Sequence, residues 1–477
     1  MTDARVSVII TAHNYAEYLE RCLDSAINQT FDNHEVVVVN DGSTDETPEI
    51  LREYSFEYPD LLTVVRLDGE GLPAACNAGI EAARGEYIIR LDADDYFDEN
   101  ILTVEAEYLD SNPDVDLVYP DYYTIDDDDN VLDHVHLPTV GSEVKLLNRS
   151  PLAAGAMYRK SAWHAIGGYN ESLDYQEDYD FWIRFINEFT VANVNLPLMY
   201  YRQHDSNMSD NLSGRLESRR QVKKTFVETH LTDKLESEEV LGIIPARNEL
   251  RMDPSAASID PDRPLALQEV EGHPLLHYTI DEARATDRLD RVILSTDDED
   301  IATYASEQDI ECNLRPAELA DPGVNLADVV DDLLTDLRTE DGYRPDITVV
   351  LPYISPCRTA SHVDEAVDSH LMFSVDSVIS VTKNRKLQWQ PGKYGLEPLF
   401  DERLIREERE VLYEENGALY VFDPEVAFYQ NELVGDHVGH ILMERDSAVH
   451  IDSELDLKLC RMLLAGNDVD SGPLTRQ

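Results

Sequence analysis

The sequence predicts an α/β protein with two doubly wound, parallel-sheet domains in tandem. Short apolar, β-favouring runs alternate with stretches of helical spacing from Val6 to Leu91, joined by short polar turns. That rhythm fades between Asp205 and Glu239 and restarts at Val240. The length, 477 residues, is too great for one ordinary core, so two or three domains are expected.

Taken in order, Val6 to Thr11 is a buried-strand pattern, followed by the polar loop Ala12, His13 and Asn14. Tyr15 to Gln29 has helical spacing of Tyr18, Leu19, Cys22 and Ile27. A second strand, Glu35 to Val39, ends in Asn40 to Asp45, and Asp45 to Tyr54 makes a helix. Leu62 to Arg66 is a third strand and Pro73 to Ala83 a third helix. After the glycine break at Gly85, Tyr87 to Leu91 forms a fourth strand that stops in Asp92, Ala93, Asp94 and Asp95. In such a sheet, loops following successive parallel strands share one edge and build one site.

Asp92 and Asp94, two apart in extended backbone, point the same way and can reach one ion. Two carboxylates that close repel unless a cation sits between them. Asp41 reads either as a turn or cap residue before Gly-Ser-Thr, or as a carboxylate accepting hydrogen bonds from a nucleotide. Sharing an edge with Asp92 and Asp94 favours the second.

The formal net charge is −58, from 97 acidic and 39 basic residues, with nine lysines against thirty arginines. The acids are scattered, loops such as Asp126 to Asp129 included, which favours adaptation to a salt-rich, halophilic cytosol over one patch for a cationic partner. Phosphate backbones would be repelled, so no nucleic-acid partner is expected. The five cysteines are scattered without metal-knuckle spacing and fit a reducing compartment. With no leader pattern and no long apolar run, a cytoplasmic location is expected.

The segments Val6–Thr30, Glu35–Thr47, Leu72–Gly79 and Gly85–Asp95 together resemble the inverting GT-A glycosyltransferases of family 2. The resemblance covers about residues 5 to 210, with motifs in family order. It implies a nucleotide-sugar donor, with Asn14 and Asp41 at the nucleotide. It also implies Asp92 and Asp94 as the acidic metal motif, holding Mg2+ or Mn2+ at the donor's diphosphate. Ala154 to Tyr158 with Gly167 to Tyr169 resembles the acceptor-side strand and loop, and Gln176 to Trp182 the acidic pair that opens a helix. Inversion needs a base at the acceptor hydroxyl. Asp178 is the candidate, Glu177 the alternative, and a charge-favoured first helical turn the structural reading of both. Phe181, Trp182 and Phe185 read as helix core, and Arg202 or His204 could approach the diphosphate or metal.

Asp205 to Ser213 reads as a polar loop, and Arg215 to His230 as a helix with the basic cluster Arg219, Arg220, Lys223 and Lys224. That cluster is either a solvated face pairing with the chain's own acids or a contact for an anionic membrane. Strands then recur at Val240 to Pro245, Arg291 to Thr296, Asp346 to Leu351, Leu419 to Phe422 and Ala448 to Ile451. Helices are expected at Leu275 to Thr286 and Asn325 to Leu337.

This half resembles acylneuraminate cytidylyltransferases over about residues 240 to 465. The resemblance is carried by Ile244 to Arg247, Leu294 to Asp298, Leu314 to Glu318, Ser355 to Thr359, Glu415 to Ala418 and Ile451 to Asp456. It implies Arg247 and Arg358 at a nucleotide and Asp452 at a metal. Departures accompany it. Asn248 to Arg251 replace a Gly-Ser-Lys phosphate loop, Leu265 and Ala266 stand for a Lys-Asn pair, and His450 replaces one of two metal aspartates. Without glycine and lysine the triphosphate loses its cradle.

The expected organisation is a GT-A domain at 1–212, a helical linker at 213–238 and a cytidylyltransferase-like domain at 239–477. Both domains would be Rossmann-like nucleotide-sugar binders. The expected function is metal-dependent inverting transfer of a sugar to a glycan or polyprenyl-phosphate-linked acceptor in polysaccharide or glycoprotein synthesis. The alternatives are a bifunctional enzyme that also makes a CMP-activated acidic sugar from CTP, and a non-catalytic nucleotide-sugar binder. Peripheral membrane contact and homo-oligomers through the C-terminal domain remain open.

Overall fold

The computed structural model describes residues 4–140, 155–203, 211–248, 259–260, 262–321, 323–393, 395–399 and 412–467. They fall into two compact units, Met1–Val222 and Lys223–Gln477.

The first unit opens with β1 (Val6–Ala12), α1 (Ala16–Ile27), β2 (His34–Asp41), α2 (Thr47–Glu57), β3 (Leu62–Leu67), α3 (Leu72–Ala82) and β4 (Tyr87–Asp92). It continues with β5 (Tyr96–Phe97), α4 (Ile101–Ser111), β6 (Leu117–Ile125), β7 (Val131–Val135), β8 (Met157–Arg159), α5 (Lys160–Ile166), α6 (Glu177–Glu188) and β9 (Val191–Arg202). The sheet order is β3-β2-β1-β4-β8-β6-β9-β5, with β7 paired to β6. β1 is buried along its whole length, as a strand covered by helices on both faces must be. The strands from β3 to β4 are parallel, and β8 joins β4 antiparallel. Helices α1 and α4 pack on one face, and α3, α5 and α6 on the other.

The unit boundary falls within α7 (Leu212–His230), which α8 (Thr232–Ser237) follows. The basic cluster on α7 is not one solvated face. Lys223 is fully buried, donating to Glu365 Oε1 at 2.7 Å and Ser369 Oγ at 3.0 Å. Lys224 pairs with Asp287 at 2.8 Å and Arg220 with Glu217 at 3.3 Å. Arg219 donates to Gln176 Oε1 and lies over the Tyr179 ring.

The second unit runs β10 (Val240–Pro245), β11 (Glu269–Val270), β12 (His273–Pro274), α9 (Leu275–Ala285), β13 (Arg291–Thr296), α10 (Glu299–Glu307) and β14 (Glu311–Leu314). Then come α11 (Leu326–Asp336), β15 (Ile347–Val350), α12 (Ala360–Phe373), β16 (Ser377–Asn384), β17 (Trp389–Gly392) and β18 (Gly395–Pro398). β19 (Leu412–Phe422), α13 (Pro424–Gln430), β20 (Val438–Leu442) and α14 (Glu454–Asn467) complete it. Its main sheet is ordered β14-β13-β10-β15-β19-β16-β20, parallel from β14 to β15, with β19 antiparallel between β15 and β16. The strand expected at Ala448 to Ile451 does not form. Ala448 N–H bonds back to Glu444 in a turn, and Ile451 makes a single backbone bond to Ile354. Val449 and Ile451 are buried there without a ladder, which periodicity cannot distinguish from a strand.

Candidate active site

β1 lies between β2 and β4, and Thr11 sits level with both Val39 and Asp92. The strands being parallel, Asp41 and Asp92 end on one edge of the sheet. Asp41 is almost fully buried, and its carboxylate accepts three backbone N–H groups from the loop after β3. These are Gly69 at 2.9 Å, Glu70 at 2.8 Å and Gly71 at 2.8 Å. The loops meet so closely that a Cβ at Gly42, whose φ is +72°, would stand 2.9 Å from Gly69 N. Asn14, at φ +61°, clasps the neighbouring loop: its N–H donates to Ser43 Oγ at 3.0 Å and its Oδ1 accepts Thr44 N–H at 2.7 Å. Asn14 and Asp41 therefore build the floor of the edge, and both lie on it.

Beyond β4 the chain turns, with Asp95 N–H donating to Asp92 C=O at 3.1 Å. Asp92 and Asp94 are half-buried; Asp95 is 1% exposed. Asp95 Oδ1 accepts the Arg202 N–H at 2.8 Å, while Oδ2 has no hydrogen-bond partner. Burial, with Asp94 and Asp92 beside it, pushes the Asp95 carboxyl well above its usual range. Burial and the same acids push Tyr15 up to about 12. The ligand oxygens of these three acids do not all lie within 4.8 Å of one another, but the orphaned Asp95 oxygen and the half-buried Asp92 and Asp94 offer an all-oxygen donor set, which suits Mg2+ or Mn2+. Arg202 supports this turn from behind: its side chain donates to the Asp94 and Asp126 carbonyls at 3.0 and 2.7 Å and pairs with Asp129. His204 lies outside the described residues.

The acid turn is joined to α6 by Arg90, a strand residue. Its guanidinium donates to both Asp92 oxygens, at 2.8 and 3.1 Å, and lies 3.7 Å from Glu177 Oε1. Glu177 opens α6 after Gln176, which is held at φ +64°. Burial and the Asp178 charge push the Glu177 carboxyl up to about 7, against the pull of Arg90. Asp178 is half-buried and accepts the Tyr179 N–H at 2.7 Å. The loop leading to α6 is pinned from α3, where Asn77 accepts Tyr169 N–H at 2.8 Å and donates to Tyr169 C=O at 2.9 Å. Phe181, Trp182 and Phe185 are buried in the aromatic core, as expected.

In the second unit the expected residues differ in burial and in partners. Arg358 is 1% exposed and points inward, donating to the Ala418 C=O at 2.6 Å, the Pro352 C=O at 3.3 Å and Thr279 Oγ1 at 3.3 Å. Burial pushes its pKa down to about 10. It ties loops to the core rather than meeting a nucleotide. Asp452 is exposed, 3.7 Å from His450 Nε2, and His450 Nδ1 contacts Ser355 Oγ at 3.0 Å. Among the described residues Asp452 belongs to no group of three metal-ligating side chains. Arg247 follows β10, on the same edge as Arg315, whose guanidinium binds Ser295 C=O at 2.9 Å and Asp297 at 3.4 Å. Leu265 and Ala266, at the place of the Lys-Asn pair, are fully buried.

The sequence profile of glycosyl transferase family 2 matches residues 7–167, and that of cytidylyltransferases matches residues 266–432. An uncharacterized glycosyltransferase of Rickettsia prowazekii is 30% identical over 247 residues, covering 50% of this chain and 74% of that protein. The N-terminal half belongs to glycosyl transferase family 2. This glycosyltransferase unit is also 30% identical over 190 residues to the chondroitin synthase of Escherichia coli, 40% of this chain and 28% of that one. The chain thus spans little more than a quarter of that synthase. S. aureus TarS 1–349 in complex with UDP-GlcNAc superposes with a TM-score of 0.41 at 21% identity, covering 49% of this chain and 70% of that chain.

Two residues of the candidate site escaped sequence reading. Arg90 looked like one polar member of a β run; its signal was a charge inside a strand otherwise too apolar to be exposed. Asn77 carried no local signal, because its partner Tyr169 lies 92 residues away.

Proposed function

We propose that the N-terminal unit transfers a sugar, with inversion, from a nucleotide-sugar donor to a glycan or polyprenyl-phosphate-linked acceptor. The observation that carries this is the line of groups Asp94, Asp92, Arg90, Glu177 and Asp178, running from the β4 edge to the start of α6. It sets an anion-stabilising end against a proton-accepting end, as inverting displacement requires. Asn14 and Asp41 shape the edge for the nucleotide. Asp94 and Asp92 would hold Mg2+ or Mn2+, with the buried Asp95 carboxyl beside them. The cation, once bound, neutralises charge on the departing diphosphate. Arg90 keeps the Asp92 carboxylate aimed and adds a fixed positive charge beneath the donor. Asp178, the more accessible of the pair, takes the acceptor hydroxyl proton, while ionised Glu177 raises its basicity.

The test is a screen of nucleotide sugars for transfer and hydrolysis with Mg2+ or Mn2+ in concentrated KCl. Turnover that survives replacing both Asp92 and Asp94 with alanine would sink the reading.

The C-terminal unit, in this proposal, is a cytidylyltransferase-derived domain that no longer makes the donor. Buried Leu265 and Ala266 and inward-facing Arg358 leave the expected triphosphate contacts without their cations. Pyrophosphate release from CTP and an acidic sugar by the full chain would instead support a bifunctional enzyme.

A further inference from the structure

Away from the acid turn, the β6–β7 hairpin brings three ligand-type side chains together. Asp121 lies on β6 where the pairing with β9 shifts register on both sides of it, and such irregularities re-aim a side chain. His134 on β7 and His136 just beyond it are two residues apart in extended chain, so both project to one side. Among the described residues this is the one group of three whose ligand atoms all lie within 4.8 Å of one another.

We propose that Asp121, His134 and His136 form a second divalent-metal site, for a borderline ion such as Zn2+ or Co2+, with one coordination position open. Asp121 is fully buried, and its Oδ1 is fixed by Leu137 N–H at 3.0 Å and Asn193 Nδ2 at 3.4 Å. Oδ2 is left without a hydrogen bond and faces the two imidazoles. His136 Nδ1 stands 2.6 Å from it, off any hydrogen-bond direction, and His134 Nε2 stands 3.8 Å away. Ligands of a tetrahedral ion with bonds of about 2.0–2.1 Å stand roughly 3.3 Å apart. Against that spacing His136 Nδ1 stands too close to Asp121 Oδ2 and His134 Nε2 too far, so both rings would shift, each by less than about 1 Å relative to that oxygen. Two imidazoles and one carboxylate favour a borderline ion over Mg2+, unlike the all-oxygen acid turn. A bound ion would clamp the end of β7 and the stretch after it onto β6. Tyr119 already holds that stretch through the Pro138 C=O at 2.7 Å and the Val140 N–H at 3.1 Å.

The experiment uses the full chain with Asp92→Ala and Asp94→Ala, which leaves the acid turn a single buried carboxyl, Asp95. Excess Mg2+ occupies other carboxylate clusters, and Co2+ binding is followed by equilibrium dialysis and visible absorption. One Co2+ per chain, with the spectrum of nitrogen–oxygen ligation, is expected. Adding His134→Ala and His136→Ala should weaken binding roughly 100-fold or more. Both histidines are solvent-accessible, and a thermal melt checks that the fold persists. Absence of stoichiometric Co2+ in the first chain, or its retention in the second, would overturn the proposal. Neither result bears on the acid turn.

Discussion

At the residue scale, the carboxylates near the site divide by environment rather than by type. Asp94→Ala is expected to lower kcat by roughly 1,000-fold, about 4 kcal/mol of barrier, with chelation by EDTA doing the same to the wild type. Asp178→Asn should reduce kcat by about 100- to 10,000-fold with little change in donor KM, as loss of a general base does. A preserved kcat in that variant would move the role to Glu177. Glu177 has its own signature, because its folded pKa is raised from 4.5 to about 7. The folded state therefore holds that proton more tightly than the unfolded chain does. The contribution to stability is full below pH 4.5 and is lost as pH rises through about 7. Glu177→Gln should abolish that loss, on the order of 3 kcal/mol, seen as a urea midpoint that no longer falls between pH 5 and 8. The same variant should remove an acid limb near pH 7 from kcat/KM.

At the element scale, buried ion pairs and loop clasps decide where rigidity lies. α7 offers an internal control: Lys223 is sealed against Glu365, whereas Lys224 and Asp287 pair in solvent. Lys223→Ala should cost about 3–5 kcal/mol by stranding a buried carboxylate. Lys224→Ala should cost less than about 1 kcal/mol. Equal effects in urea titrations would contradict this division. Sequence reading saw four cations on one helix and could not order them, since their partners come from distant segments. Asp41 teaches the same point. Its place at a strand end was legible from the run Glu35 to Asp45, but the amides of Gly69 to Gly71 that its carboxylate accepts were not.

At the scale of the whole molecule, a net charge of −58 sets the working conditions. The screening length falls from about 10 Å at 0.1 M salt to about 3 Å at 1 M. Raising KCl over that range should raise the thermal midpoint by several degrees; a falling midpoint would contradict self-repulsion as the dominant surface effect. Chain organisation obeys a different rule. Each unit repeats strand–helix alternation locally, which is why two α/β folds were readable without any long-range information. The mixed half of the first sheet, β8-β6-β9-β5, in which β6 and β9 run parallel, was not, because its order does not follow the chain.

By itself, the sequence determined the α/β class, the two-unit organisation, the acid turn at the end of a strand and the acidic pair opening α6. Those are local patterns of spacing, and spacing survives in one dimension. Tertiary structure alone decided that Arg90 links Asp92 to Glu177, that Arg358 faces the core, and that Asp121 meets His134 and His136. Each of those outcomes depends on burial and on which oxygen or nitrogen faces which, and these arise only when remote strands pair.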